Sequence, residues 1–375
     1  MKSALRCLSP FVVASLLIFT GLHAEAQPAD AETARLIAEL GLKESARPVS
    51  ELPGWHAPTR IIVRTDSAER LAWLRAATPG VELIEAKSAD EAAALAPDVD
   101  AVMGYCTPAL LEAGTKIRWI QLLAAGVERC VALPGFAERG IVLTNMQKIA
   151  GPVMSEHVLA LMLGLARGFA TYVPLQAGGR WMPEAVDGDR MWSLDGRTLL
   201  VVGLGGIGIE VARRAQALGM TVIAIRNSSR EGPPFVSEVG LSTDLLAFAR
   251  RADVIVNTLP LTAQTRGIYD KTFFDAARRG ALFINVGRGA SVVTDELVAA
   301  LEDGRIGGAG LDVTDPEPLP ADHPLWHARN VLITPHVSAS VELGEEPRWL
   351  ITRENLRRFA AGGRLLSEVD VQRGY

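Results

Sequence analysis

The sequence predicts an α/β fold built on parallel sheets that are covered on both faces. Three observations carry this expectation. Short runs rich in Val, Ile and Leu alternate with helical segments from Arg60 to the C-terminus. One of them, Arg197-Thr-Leu-Leu-Val-Val202, leads directly into the glycine-rich turn Gly203-Leu-Gly-Gly-Ile-Gly208, which opens a helix. The composition is ordinary for a globular chain, at 49% hydrophobic and 22% charged, and 375 residues leave room for two cores.

The N-terminus reads as an export signal and not as part of the fold. Lys2 and Arg6 precede an apolar run from Phe11 to Leu22, and Ala24-Glu25-Ala26 supplies a small-x-small cleavage pattern. A run of twelve residues is too short for a helix that spans a bilayer. Cleavage after Ala26 is expected, which places the mature chain in the periplasm or outside the cell; without use of the signal it stays cytoplasmic. Removing residues 1–26 changes the net charge from −5 to −6. No basic block remains to meet a nucleic acid. Cys7 leaves with the signal. Cys106 and Cys130 stay, and two cysteines in so long a chain are no disulfide framework; one bridge between them is open to the sequence, with two ordinary thiols the favoured expectation.

Residues 27–57 read as an extension. A helix from Ala31 to Leu40 stops at Gly41, and Pro48, Pro53 and Pro58 punctuate a packed-down arm. Strands follow at Arg60–Arg64, Glu82–Glu85, Ala101–Met103, Trp119–Leu123 and Ile141–Thr144, with a helix at Ser67–Ala77. Met154 to Arg167 is apolar nearly all round, which suggests a helix buried between domains or subunits. A polar stretch from Pro174 to Leu194 separates it from a second alternation. There the strands are Arg197–Val202, Thr221–Ile225, Asp253–Asn257, Ala281–Val286, Gly308–Val313 and Val331–Thr334, with a helix at Ile207–Leu218. A final helix, Trp349–Ala361, ends at Gly362-Gly363.

The Gly203 turn has the context that a dinucleotide fingerprint requires. Gly203 permits the tight turn, Gly205 lets backbone approach a pyrophosphate, and Gly208 lets helix and strand pack closely. Gly206 and Ile207 complete the loop at a helix N-terminus, whose unpaired N–H groups suit phosphates. An acid is expected some 20 residues on, to bond the ribose 2′-hydroxyl. Arg226-Asn-Ser-Ser-Arg230 stands there instead. Arg226, Ser228 and Arg230 suit a 2′-phosphate, so NADP is preferred, with NAD as the alternative.

Three further groups fit the reduction of a keto acid. Arg288 lies just past a strand, at the edge where open α/β sheets place ligands, and a guanidinium there can fork onto a carboxylate. Glu317 stands between Pro316 and Pro318 on a stiff loop. His336 ends the Val331–Pro335 run and is the natural acid–base group near neutrality. His323 and His327 lie four apart but show neither a third ligand nor a helix, so no metal is expected. His157, on the apolar helix, reads as a packed or interface histidine.

Taken together, in order and spacing, these motifs resemble the D-2-hydroxyacid dehydrogenase family from about residue 100 to the C-terminus. The likeness includes Trp119-Ile-Gln121, Ala125-Gly-Val-Glu128, Arg139-Gly-Ile141, Ser155-Glu-His-Val-Leu159, Leu259-Pro-Leu-Thr262, Asn285-Val-Gly-Arg-Gly289, Pro324-Leu-Trp326 and Thr334-Pro-His336. The resemblance implies a Rossmann-type dinucleotide-binding domain, residues 150–334, inserted in a discontinuous flavodoxin-like substrate domain, residues 58–149 and 335–375. It implies that Arg288 binds the substrate carboxylate, that His336 delivers the proton and that Glu317 pairs with His336. Asp312 would contact the nicotinamide carboxamide, with Leu259 and Pro260 also at the cofactor. Gly104 and Tyr105 would hold the carboxylate through backbone N–H groups, with Tyr105 setting pocket size. Ala125 and Gly126 would form a second substrate loop, and the chain would be a homodimer packed through the Met154–Arg167 helix.

The expected activity is reduction of a small 2-keto acid of the glyoxylate or hydroxypyruvate kind. Ser338, two residues after His336, is shared with formate dehydrogenase relatives, but those carry Gln where Glu317 stands. A phosphite-oxidising relative would keep all three groups. An exported binding protein that retains the fold is the other alternative, because free NADPH is cytoplasmic. A dinucleotide-sensing corepressor would have no DNA to regulate outside the cell.

Overall fold

The computed structural model describes residues 29–186, 191–340 and 345–375. The export signal expected at residues 1–26 lies outside the described residues. Two parallel sheets organise the chain. The first contains β1 (Arg60–Val63), β2 (Glu82–Glu85), β3 (Ala101–Met103), β4 (Trp119–Gln121) and β5 (Val142–Thr144), in the order β2-β1-β3-β4-β5. That is the flavodoxin-like order. The second contains β6 (Thr198–Val202), β7 (Thr221–Ile225), β8 (Glu238–Gly240), β9 (Val254–Asn257), β10 (Ala281–Asn285), β11 (Ile306–Leu311) and β12 (Val331–Ile333). Its order, β12-β11-β10-β9-β6-β7-β8, is the doubly wound one, with the reversal between β6 and β9.

The strands of the second sheet are apolar because both their faces are covered. Every residue of β9 and β10 is buried. The helix Gly151–Ala166 lays Met154, Val158, Leu161, Met162 and Leu165 over one face, against Val201, Val256 and Ile284. Its apolar girth therefore serves one sheet first, and Leu163, 40% exposed, looks outward. Tyr269, Phe273, Phe274 and Phe283 fill the opposite face with edge-on ring contacts.

The C-terminal helix, Glu345–Ala360, returns to the first sheet. Trp349, Leu356 and Phe359 pack with Ile61, Val63, Met103 and Trp119. The extension ties down the same end. Asp30 caps the helix Ala31–Leu40 by accepting from the Thr33 N–H, and Gly41 ends it at φ 54°. Beyond it, Ser45 N–H donates to Leu365, Val49 N–H to Gly363 and Ser50 N–H to Gly362.

Three local expectations need correction. β8 is a strand that sequence reading omitted, three residues long and interrupted by no clear alternation. A helix, Phe169–Ala177, runs through Pro174 into the start of the stretch read as a polar connection from Pro174 to Leu194. Cys106 and Cys130 are not two ordinary thiols but a disulfide, their Cα atoms 5.6 Å apart. Sequence separation of 24 carries no information about that approach; the turn after β3 and a short helix after β4 create it. Among the described residues no single helix is long and apolar enough to cross a membrane.

Candidate active site

The strand register sets the site's geometry. Ile225, Val202, Asn257, Asn285, Leu311 and Ile333 stand level across β7, β6, β9, β10, β11 and β12. They form the carboxyl edge of the second sheet, and the residues expected to do chemistry follow them within a few positions. Gly203 follows Val202, Arg226 follows Ile225, Leu259 and Pro260 come just past Asn257. Arg288 lies three residues past Asn285, Asp312 follows Leu311 and His336 lies three past Ile333. The Gly203 turn sits at the reversal of strand order, where such sheets bind ligands.

Gly203 has φ 103°, and a Cβ there would come 3.0 Å from the Thr258 hydroxyl, which donates to the Gly203 carbonyl at 2.6 Å. Gly208 has no room at all: its Cβ would lie 2.1 Å from the Gly203 carbonyl oxygen. Gly205 differs, because a Cβ there would meet nothing within 4 Å. The 12-residue helix Gly206–Ala217 starts at this open side with no side chain capping it. An open approach to uncapped helix N–H groups fits a dinucleotide pyrophosphate. Gly206 is small for another reason, since its Cβ would strike Lys148, whose ammonium reaches the Gly41 carbonyl of the extension. Burial, and then nearby Lys43, lower the Lys148 pKa.

The basic turn after β7 lies beside this loop, because the Gly203 N–H donates to the Ile225 carbonyl at 3.0 Å. Arg226 Nε donates to Ser228 Oγ at 2.9 Å, so two of the three expected phosphate ligands are neighbours. Arg230 is spoken for: its Nη2 lies 2.8 Å from Asp244 Oδ2.

A buried polar network holds the backbone of Arg288. The Asn257 amide donates to Asn285 Oδ1 and to Ser291 Oγ, both at 2.9 Å, and accepts from Tyr269 Oη at 3.0 Å. Asn285 Nδ2 and Ser291 Oγ in turn donate to the Arg288 carbonyl, at 3.1 and 2.6 Å. Burial raises the Tyr269 pKa well above its ordinary value, so this donor stays protonated. The guanidinium projects toward the first sheet. Its Nε lies 3.0 Å from Glu128 Oε1 and its Nη2 3.4 Å from Glu128 Oε2.

Glu317 and His336 meet as expected, with Nδ1 and Oε1 2.6 Å apart. His336 has φ 55°, a left-handed backbone that few side chains adopt. Asp312 holds it there. Its carboxylate accepts from Thr334 Oγ1 at 2.7 Å, Val337 N–H at 2.9 Å and Ser338 N–H at 3.0 Å. Burial pushes the Asp312 carboxyl up, but the bonds from Ser338, Thr334 and Val337 outweigh it and leave it below the usual range. In this structure the Asp312 carboxylate is spent on the backbone and side chain of that turn. The residue is 1% exposed, and its oxygens organise the His336 turn. Ser338 belongs to the same turn, through its N–H on Asp312. His157, expected to be a packed or interface histidine, stands behind them with Nε2 2.9 Å from Thr334 Oγ1. Nothing in its own neighbourhood of sequence signals that role. His323 Nδ1 accepts from the Leu325 N–H and so closes a turn.

The two substrate loops reach this edge from β3 and β4. Gly126 touches Arg288 so closely that a Cβ would lie 2.2 Å from Nη2. The exposed Ala125 offers its carbonyl to Asn145 Nδ2 at 2.7 Å. Two expectations for the other loop need correction. The Gly104 N–H is used by the Gln121 carbonyl at 2.8 Å, because the chain still continues the sheet there. The Tyr105 ring turns into the core, 8% exposed, with its hydroxyl on the Ala86 carbonyl at 2.8 Å, so it does not set pocket size.

Comparison with known proteins bears on the family and the fold. The family model described as D-isomer specific 2-hydroxyacid dehydrogenase, NAD binding domain, matches residues 159–338. A glyoxylate/hydroxypyruvate reductase A of Citrobacter koseri is 31% identical over 315 residues, covering 83% of this chain and 97% of that protein. An uncharacterized protein of Corynebacterium melassecola is 34% identical over 267 residues, 69% of this chain and 84% of its own. Among solved structures, an NADPH-dependent glyoxylate/hydroxypyruvate reductase from Sinorhizobium meliloti in complex with NADP and sulfate superposes with a TM-score of 0.72. It is 28% identical, over 84% of this chain and 100% of that one. A family protein from Aeromonas salmonicida gives 0.71 at 32% identity, with the same coverage. The chain belongs to the D-isomer specific 2-hydroxyacid dehydrogenase family, as an oxidoreductase with an NAD(P)-binding Rossmann domain.

Proposed function

We propose that this protein reduces a small 2-keto acid of the glyoxylate or hydroxypyruvate kind to its D-2-hydroxy acid, with NADPH preferred over NADH. The observation that carries the reading is the 2.6 Å Glu317–His336 pair, standing on the same sheet edge as Arg288. The Gly203 loop would hold a nicotinamide dinucleotide, which would supply the hydride. Arg288 holds the substrate carboxylate and polarises the carbonyl beside it. Glu317 fixes the imidazole through Nδ1, which leaves Nε2 to hold the proton for the carbonyl oxygen. The Asp312 turn keeps His336 in place for that transfer. The N–H groups that follow Gly104, with Ala125 and Gly126, frame the carboxylate. Arg226 and Ser228 meet the 2′-phosphate, and Arg230 joins them by sharing or releasing Asp244.

The reductase relatives named above support the substrate class, and the intact Arg288, Glu317 and His336 weigh against a non-catalytic binding protein. The test is a panel of 2-keto acids offered to purified protein with each cofactor, following nicotinamide absorbance.

We further propose that residues 58–149 with 335–375 form the substrate domain around residues 150–334, and that the mature chain works outside the cytoplasm. The Cys106–Cys130 disulfide supports export, since such bonds persist in oxidising compartments. A second copy of the chain is the proposed partner. The outward Leu163 on the Met154–Arg167 helix, with the exposed Phe169, Val173 and Trp181 that follow it in the chain, supports a homodimer through that helix.

A further inference from the structure

The guanidinium of Arg288 already has a carboxylate on it. Glu128 takes the Nε–Nη2 edge, and Nη1 donates to the Gly287 carbonyl at 2.8 Å. An arginine reserved for substrate would keep that fork clear, so the Glu128 charge sits where the substrate's carboxylate must come. Both side chains are partly withdrawn from water, 31% exposed for Arg288 and 23% for Glu128, so the charge is incompletely screened. Both also lean on Gly126: a Cβ there would lie 2.2 Å from Arg288 Nη2 and 2.9 Å from Glu128 Oε2. Glu128 thus borders the space that the Ala125–Gly126 loop frames.

Its place is built in. Glu128 opens the short helix Glu128–Val131, and Cys130 in that helix is bridged to Cys106, next to Tyr105 on the other substrate loop. The disulfide fixes the helix relative to that loop, so Glu128 can leave Arg288 only by moving its side chain.

We propose that Glu128 is a specificity-determining residue that restricts the site to 2-keto acids with a single carboxylate. It acts in the substrate pocket of the reductase reading above, and rests on that reading. The pair Arg288–Glu128 is neutral overall. A substrate's one carboxylate can share or take over the guanidinium, whereas a second carboxylate meets the displaced Glu128 as a like charge. A hydroxyl on the carbon beside the carbonyl finds an acceptor in Glu128, which favours hydroxypyruvate-like substituents over a bare methyl.

The test compares hydroxypyruvate, pyruvate and oxaloacetate in wild type, Glu128→Gln and Glu128→Asp. Wild type should prefer hydroxypyruvate over pyruvate and be poorest with oxaloacetate. Glu128→Gln keeps the shape and removes the charge. It should raise the ratio of kcat/KM for oxaloacetate over hydroxypyruvate by about tenfold or more, mainly through KM. Calorimetric titration of malonate, an unreactive dicarboxylate, should show tighter binding to Glu128→Gln than to wild type. Glu128→Asp keeps a charge nearby and should stay close to the wild-type ratio. A Glu128→Gln ratio within about twofold of wild type, with unchanged malonate binding, overturns the proposal. So does an equal loss of kcat on all three substrates by a variant that melts like wild type. A wild type that reduces none of the three with either cofactor is a different result, and overturns the reading of the site itself.

Discussion

His336 Nδ1 and Glu317 Oε1 lie 2.6 Å apart though 19 residues separate them, with Glu317 between two prolines past β11 and His336 three residues past β12. The pair uses one ring nitrogen and leaves the other for substrate. His336→Ala should lower turnover by roughly 10²–10⁴, the usual worth of a positioned acid. Glu317→Gln keeps the bond's shape but not its charge, and should cost about 10- to 100-fold, chiefly in kcat. Steady-state kinetics on both variants, with circular dichroism to confirm folding, checks this.

Arg288 has its backbone held by Asn285 and Ser291 and its guanidinium braced on Gly126. Arg288→Ala should damage both KM and kcat. Arg288→Lys should recover little, because a point charge lacks the planar fork. A kcat/KM for Arg288→Lys near wild type would remove the bidentate role.

Arg226 and Ser228 are bonded to one another beside Gly203. Charge-assisted bonds to a phosphate contribute about 1.5–3 kcal/mol each. Arg226→Ala should therefore raise the KM for NADPH by about 10- to 100-fold, with little effect on NADH. Arg226→Asp should invert the preference. Arg230→Ala should cost less, since Arg230 already answers Asp244.

Asp312 carries the clearest pH prediction. Its folded carboxyl titrates below the ordinary 3.8, so its stabilisation is complete above that value and is lost as pH falls through the lower folded one. Asp312→Asn presents an amide to three donors and should destabilise by about 1.5–3 kcal/mol at neutral pH. Urea unfolding at several pH values should show the gap between wild type and variant closing in acid.

Much of this architecture was legible in the chain. Ala101–Met103 and Thr221–Ile225 have the bounds expected of them, because fully buried parallel strands are short apolar runs between helical segments. Arg288, Glu317 and His336 each have a bland reading alone, and stood out as candidates only by their joint order and spacing and the family resemblance these carry. What stayed hidden depends on contacts between distant segments. The Cys106–Cys130 bond, the inward turn of Tyr105, the grip of Asp312 on Val337 and Ser338, and the Glu128–Arg288 pair each need the three-dimensional approach of loops. Glu128 and Arg288 are 160 residues apart, and no local pattern encodes their meeting.

Export and the disulfide can be tested on protein from its native host. N-terminal sequencing should begin at Gln27, and mass measured without reductant should be lower by two hydrogens than with it. An intact Met1 on the protein together with free thiols at Cys106 and Cys130 would contradict export, while leaving the catalytic reading intact.

The central claim is that this sheet edge reduces a 2-keto acid, and the most direct measurement is turnover by the purified wild-type protein. Glyoxylate, hydroxypyruvate and pyruvate would each be offered with NADPH and with NADH. The account predicts cofactor oxidation that depends on the keto acid, is faster with NADPH, and is lost in His336→Ala. A folded protein that oxidises neither cofactor with any of these acids, or a His336→Ala variant as fast as wild type, would contradict it.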